Sequence, residues 1–287
     1  MSSTHIPILI LGATGYIGGS VLSRLLAHSD AKSFEITALI RSVEKAECLR
    51  GFGVKTVVGS TDDVEKLETL ASHAHIVFSV VSTDDLPAIQ AADKQGYLKS
   101  YIILHSLVYG MASGPFVDLG IQNPFSMQIP GLIMAAFDRG HVGMFGKGLL
   151  IWPSVHIDDA ANLYLILFDA VLANPEKVGH GREGYFFVEN GEHTWYDLSK
   201  AIGGPFVKAG LSKDSEPTTL TDEELIKYTG SVEIGHKMGS NVRCHANCAR
   251  GLGWKPTKTN KDMFDNLSLE VSALLNIVQA KQQKAST

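Results

Sequence analysis

The sequence holds only three cysteines, Cys48, Cys244 and Cys248. Their number is odd, and the polar start "MSSTH" leads straight into an apolar run without the charged and apolar regions of a secretory signal, so a disulfide framework is not expected. "HKMGSNVRCHANC" gathers His236, Cys244, His245 and Cys248, but paired CxxC knuckles are absent and no metal site is expected. Positive charge is neither clustered nor in excess: 25 Lys and Arg stand against 30 Asp and Glu, for a net charge of −5. That excludes nucleic acid as a dedicated partner, because phosphate binding needs a concentrated basic face. Apolar runs such as "IPILILGA" and "IVFSVV" fall far short of the roughly 20 residues that cross a bilayer, so they read as buried strands, and no membrane partner is expected. The location expected on these grounds is cytoplasmic. Internal repeats, low-complexity tracts and Ser/Gly linkers are absent as well.

What is present is enough apolar material for a large core. With 287 residues, 45% hydrophobic and 19% charged, the chain can build one large α/β domain or a domain with a small lobe. "IPILILGATGYIGGSVLSRLLAHS" reads as a strand, a glycine turn and a helix whose Ile17, Val21, Leu22, Leu25 and Leu26 recur at helical spacing. "FEITALIRS", "VKTVVGS" and "AHIVFSVVS" follow as strands, separated by the helices "VEKAECLRGFG" and "DVEKLETLASH". Alternation of this kind predicts an α/β fold, a doubly wound parallel Rossmann-type sheet, with a smaller C-terminal substrate lobe. The expected division is a dinucleotide-binding core over 1–110, completed by about 155–190, with 111–154 and 191–287 as the lobe and C-terminal helix. In that lobe Phe116, Phe125, Met127, Met134 and Met144 suit either an apolar pocket or ordinary core packing. "VHIDDAANLYLILFDAVLANP" is an amphipathic helix stopped by Pro175, "GYFFVEN" is a strand at which the sheet is expected to resume, and "TLTDEELIKYTG" is a helix with a Thr221/Glu224 capping box.

"GATGYIG" sets Gly12, Gly15 and Gly18 in the spacing G-x-x-G-x-x-G between a strand and a helix. Gly12 permits the tight turn, Gly15 the approach of backbone to a pyrophosphate and Gly18 close helix packing, while free N–H groups and the helix dipole attract the anion. Ala13, Thr14, Tyr16 and Ile17 within the loop, and Val81 after the fourth strand, are expected in the same cofactor site. The second strand ends with Arg41 where an NAD-preferring site would have Asp or Glu. A guanidinium there favours an adenosine 2′-phosphate, helped by Ser42 and Lys45, so NADP is expected rather than NAD; a solvated arginine at a strand end is the alternative. Asp63, after Asp62 and the third strand, suits either the adenine amino group or a helix N-terminus.

With these residues the sequence resembles the extended and atypical short-chain dehydrogenase/reductases, especially the NAD-dependent epimerase/dehydratase and NmrA-like branches. "GATGYIG" matches the nucleotide loop of that family, "SYIILHSLVYG" its late strand, "VHIDDAANLY" its later helix start and "ARGLGWKP" its C-terminal motif. The resemblance covers most of the chain and implies a small-molecule carbonyl or sugar-nucleotide-like substrate; it leaves the oligomeric state open.

In the family a Tyr-x-x-x-Lys pair follows the fifth strand, the Lys lowering the pKa of the Tyr. Bringing a tyrosine from about 10 to a working pH of 7 takes about 4 kcal/mol. Here about 18 residues separate Ser82 from Tyr101, and neither Tyr97 nor Tyr101 has Lys four positions on. The segment with the fifth strand and the catalytic helix is missing. The only match, Tyr196 and Lys200 in "YDLSK", falls after the later landmarks and reads as a chance coincidence on one helix face. Ser106, His105 and Tyr109 in "LHSLVYG" are the substitute candidates for proton transfer, against the alternatives of a buried histidine and a packing tyrosine. Two outcomes are open: a reductase or epimerase-like enzyme, with impaired turnover, or a non-catalytic NADP-sensing protein like the NmrA-like regulators. The late strand, reached by a crossover long enough for one helix, is expected to take the fifth-strand slot beside the fourth.

Overall fold

The computed structural model describes residues 5–81 and 86–285. Ser82, from which the shortened crossover was measured, lies outside the described residues. The chain begins with β1 (Ile6–Leu11), α1 (Tyr16–Leu26), β2 (Phe34–Ile40), α2 (Val43–Arg50), β3 (Lys55–Val58), α3 (Val64–Ser72), β4 (Ile76–Ser79) and α4 (Leu86–Lys94). It continues with β5 (Ile102–His105), β6 (Leu107–Tyr109), α5 (Pro115–Asp118), α6 (Gln128–Arg139), β7 (Gly143–Met144), β8 (Ile151–His156) and α7 (Ile157–Ala173). After β9 (Tyr185–Val188) and β10 (Glu192–Thr194) come α8 (Trp195–Lys208), β11 (Thr218–Thr219), α9 (Asp222–Thr229), α10 (Val232–Met238), α11 (Asn247–Gly251) and α12 (Asn260–Ala285).

Two compact units share these elements. The first runs to Ile102 and takes in Ala112–Pro124 and Ala160–Tyr185; the second comprises Ile103–Met111, Phe125–Asp159 and the chain from Phe186 onward. The first unit is built on a parallel sheet of order β3-β2-β1-β4. Alternation along β1 feeds two cores: Ile8 and Ile10 pack with Val21, Leu22 and Leu25 of α1, while Leu9 and Leu11 pack with Leu39 and with Leu67 and Leu70 of α3. A strand covered on both faces needs an unbroken apolar sequence, which is why "IPILIL" does not alternate. Phe116 and Ile121 belong to the first of these cores, whereas Met127 is 88% exposed.

The second unit holds the antiparallel pair β10–β8, the parallel pairs β6–β8 and β7–β11, and a core in which Tyr109, Trp195 and Phe206 are fully buried. The landmarks "VHIDDAANLY" and "ARGLGWKP" meet through one residue. The buried Asp159 carboxylate accepts from the Thr257 N–H at 3.1 Å and the Lys258 N–H at 2.9 Å, and its main-chain carbonyl accepts from the Trp254 indole at 2.8 Å. The Thr221/Glu224 capping box at the start of α9 is formed.

The late strand departs from its expected position. The four-stranded sheet ends at β4 among the described residues; β5 pairs with β9 and β6 with β8, so "GYFFVEN" does not extend the main sheet either. Leu107 and Tyr109 are anchored in the core of the second unit, and burying two such side chains is worth about 1.5–3 kcal/mol each. A ladder to four-residue β4 offers net hydrogen bonds of about 1 kcal/mol apiece, which does not compensate for withdrawing them.

Within the first unit the shortened crossover is closed by Asp93, near the end of α4. Its buried carboxylate accepts from the Ser100 N–H, from the Ser100 hydroxyl at 2.9 Å and from His180 Nδ1 at 2.9 Å, and a β-carbon on Gly181 would lie 2.7 Å from it. Burial pushes the Asp93 pKa up, but the two Ser100 donors and His180 outweigh it and hold it below the usual carboxylate value. A depressed folded-state pKa adds stability above the unfolded value of about 4 and loses it as pH falls through the folded value. In urea titrations Asp93→Asn should therefore be less stable than the native chain by about 1.5–3 kcal/mol at pH 6–7, with the gap narrowing below about pH 4; a gap independent of pH contradicts the lock. Asp159→Ala should cost about 2–4 kcal/mol because it orphans buried N–H donors, read as a lower urea midpoint for Trp254 fluorescence.

Candidate functional site

The residues of "GATGYIG" form a close-packed turn between β1 and α1. Gly12 has φ of +80°, and a β-carbon there would lie 2.3 Å from the Val80 carbonyl oxygen and 3.1 Å from Val81 Cγ1. At Gly18 a β-carbon would lie 2.1 Å from the Gly12 carbonyl oxygen. Both positions exclude any side chain. Gly15 N–H donates to the Gly12 carbonyl at 2.8 Å, and Gly15 is the N-cap of α1, which has no side-chain cap and no acid in its first turn. No acid of that turn offsets the positive end of the helix. Ala13 and Tyr16 are buried and Thr14 and Ile17 half-buried, so the loop presents mainly backbone.

The segment Ile121–Asn123 backs this turn. Gln122, buried, donates from Nε2 to the Tyr16 carbonyl and to Ser20 Oγ, each at 2.9 Å, and the Asn123 N–H donates to the Thr14 carbonyl at 3.1 Å. A β-carbon on Gly19 would lie 2.5 Å from the Gln122 amide carbon. Gln122 was not singled out in sequence because it sits in a Gly- and Pro-rich stretch without periodicity; the Gly18-Gly19 doublet, which needs something pressed against the helix, was the available signal.

Arg41 stands exposed beyond β2 and makes no hydrogen bond or ion pair among the described residues. Ser42 caps α2, its Oγ accepting from the Lys45 N–H at 3.2 Å, which leaves the hydroxyl proton available. Asp63 caps α3 through the Lys66 N–H at 3.2 Å and pairs with Lys66 Nζ at 2.7 Å; the Lys66 ammonium holds its carboxyl below the usual carboxylate range. Asp62 accepts from the Ser60 hydroxyl at 2.8 Å.

The proton-transfer candidates belong to the second unit and are committed to structure. Ser106 Oγ donates to the Val188 carbonyl at 2.7 Å. Tyr109, fully buried, donates to the Thr259 carbonyl at 2.7 Å, and desolvation raises its phenol well above the ordinary value. Desolvation pushes the His105 imidazole down to about 4, so it is neutral at pH 7. Tyr196 and Lys200 do share one face of α8, but both bind Glu216, the Tyr196 hydroxyl at 3.0 Å. Glu216 pushes both the Tyr196 phenol and the Lys200 ammonium up, the reverse of what a tyrosine base requires.

Comparison with known proteins agrees with this architecture. Residues 4–103 match the sequence profile of the NmrA-like family. The chain is 27% identical over 326 aligned positions to the oxidase ucsJ of an Acremonium species, with 87% of this chain and 92% of that protein covered. Identity to an uncharacterised Schizosaccharomyces pombe protein is 22% over 311 positions, with 87% and 95% covered. Both alignments are longer than the part of this 287-residue chain that they use, so each relative carries tens of residues without a counterpart here. Among solved structures, the UDP-glucose 4-epimerase of Thermotoga maritima with UDP-glucose shares 15% identity at a TM-score of 0.62, covering 95% of this chain and 100% of that one. The UDP-glucuronic acid 4-epimerase of Bacillus cereus with UDP-glucuronic acid and NAD shares 13% at 0.60, covering 94% and 100%. The chain is thus similar to the NmrA-like family over residues 4–103 and shares the fold of these two 4-epimerases along its length.

Proposed function

We propose that the protein is an NAD(P)-binding, oxidoreductase-type Rossmann protein that prefers NADPH and turns over carbonyl substrates weakly or not at all. The observation that carries this reading is a contrast. Gly12–Gly18 is a close-packed glycine turn into a helix with no side-chain cap and no acid in its first turn, while the hydroxyls of Ser106, Tyr109 and Tyr196 are already bonded to protein acceptors. The residues present fit a dinucleotide: Gly12, Ala13, Thr14, Gly15, Tyr16, Ile17 and Gly18 would hold its pyrophosphate, Arg41 and Ser42 its 2′-phosphate, and Asp63 and Val81 its adenine end. When bound, the nicotinamide supplies or accepts hydride; the part of this chain is to hold the adenosine half and shield it from water. Proton transfer to a carbonyl asks for a group near neutrality, and His105, the one imidazole weighed for it, is depressed to about 4.

Support also comes from relatives. One is called an oxidase, and the Bacillus cereus epimerase was solved with NAD and a sugar nucleotide. A carbonyl compound or sugar nucleotide is accordingly the substrate class in the enzyme reading, with the cytoplasm as its place of action. The second reading, a non-catalytic dinucleotide sensor, is favoured by the family match itself, since residues 4–103 contain every position assigned to the cofactor.

Fluorescence titration should show NADPH binding more tightly than NADH, and Arg41→Ala should remove most of the difference, about 10- to 150-fold for a charge-assisted bond of roughly 1.5–3 kcal/mol. Equal affinities contradict the Arg41 assignment. Steady-state assays with aldehydes, ketones and sugar nucleotides should give little or no turnover, and Tyr196→Phe should change any residual rate less than about twofold, because only a surface hydrogen bond is lost. Robust turnover abolished by that substitution contradicts the reading.

A further inference from the structure

Gly59, one residue past β3, donates its N–H to the Ile40 carbonyl at 3.0 Å, so the chain there runs beside Arg41, the residue after Ile40. A β-carbon on Gly59 would meet Lys66 Cδ at 2.9 Å, Lys66 Nζ at 3.0 Å and Leu39 Cδ1 at 3.2 Å. Lys66 thus does not extend into solvent from the first turn of α3. It folds back over Gly59 to the strand ends, held by Asp63 Oδ2 at 2.7 Å. Leu39 and Lys66 both border Gly59, so Lys66 lies over the ends of β2 and β3, one residue short of Arg41 along the chain.

We infer that Lys66 is a second cation for the adenosine 2′-phosphate, and that the Asp63–Lys66 pair is a lock which this phosphate opens. The inference rests on the NADP reading above. A phosphate held by Arg41 brings up to two negative charges and three acceptor oxygens to the ends of β2 and β3, whereas Asp63 offers Lys66 one charge in a half-exposed pair three residues apart. Such pairs are weak, and a phosphate already held by a guanidinium is the stronger competitor. Lys66 then turns from Asp63 to the phosphate. Asp63 Oδ1 keeps capping α3 through the Lys66 N–H, and Oδ2, released from the ammonium, accepts from the adenine amino group. A cofactor without the 2′-phosphate leaves the lock closed and the adenine acceptor occupied. Selectivity is then doubled, since the phosphate is recognised directly and also frees the group that recognises the base. The two sequence readings of Asp63, helix cap and adenine acceptor, are then held together by the two oxygens of one carboxylate.

The test is calorimetric titration of the full chain with adenosine 2′,5′-bisphosphate and with 5′-AMP, the readout being the ratio of their affinities. The native protein should favour the bisphosphate. Lys66→Met should lower the ratio about 5- to 10-fold, as expected for loss of one charge-assisted contact at a solvent-exposed site, and Lys66→Arg should restore most of it. Thermal unfolding of each variant, expected to match the native chain, separates these effects from loss of fold. A ratio unchanged in Lys66→Met while Arg41→Ala abolishes it overturns the role of Lys66 alone. A native ratio near one overturns the NADP reading, and this inference with it.

Discussion

Between Gly12 and Gly18 there is no room for a β-carbon: one at Gly18 would sit 2.1 Å from the Gly12 carbonyl oxygen, and one at Gly12 would run into the Val80 carbonyl. This three-way approach of the end of β1, the start of α1 and the end of β4 fixes where the helix points, and no side chain caps its start. The support behind it follows from the same constraint. Gln122 presses on Gly19 and ties the first turn of α1 by two hydrogen bonds, so the stretch Ala112–Pro124 belongs to the same unit as the loop. The geometry of the glycine loop and the fold of the first unit are one packing problem.

The second half of the account turns on what the chain does without. Extended short-chain dehydrogenase/reductases resemble it on both sides of the crossover, but the Tyr-x-x-x-Lys segment has no counterpart between β4 and β5. The chain closes the gap with α4 and a buried carboxylate. Asp93, near the end of the nine-residue α4, gathers Ser100 and His180. The late strand keeps its place with β8 and β9, because Leu107 and Tyr109 are core residues there. The tyrosines weighed for proton transfer, Tyr109 and Tyr196, donate to the Thr259 carbonyl and to Glu216, and each phenol is raised above its ordinary value, Tyr109 by desolvation and Tyr196 by Glu216.

Much of this was legible in sequence, for identifiable reasons. The glycine spacing, the apolar run of β1 and the helical periodicity of α1 are local signals. The partner of the late strand was not legible: Ile102–Tyr109 shows that it is a strand, but which edge accepts it depends on side chains of α8 and α12 far along the chain. Asp93 was missed because an acid in a polar helix looks like a solvent-facing charge, and only the meeting with Ser100 and His180 shows otherwise. Nor could sequence decide whether Asp63 caps a helix. Its pairing with Lys66 depends on how Lys66 folds back over Gly59.

The central claim, that the dinucleotide cradle survives while the proton-transfer pair does not, is tested most directly by a crystal structure of the chain with NADPH. The account predicts the pyrophosphate on the backbone N–H groups of Gly12–Gly18 and the 2′-phosphate on Arg41, with no tyrosine hydroxyl paired to a lysine beside the nicotinamide. A dinucleotide bound away from that loop, or a tyrosine–lysine pair meeting the nicotinamide, would contradict it.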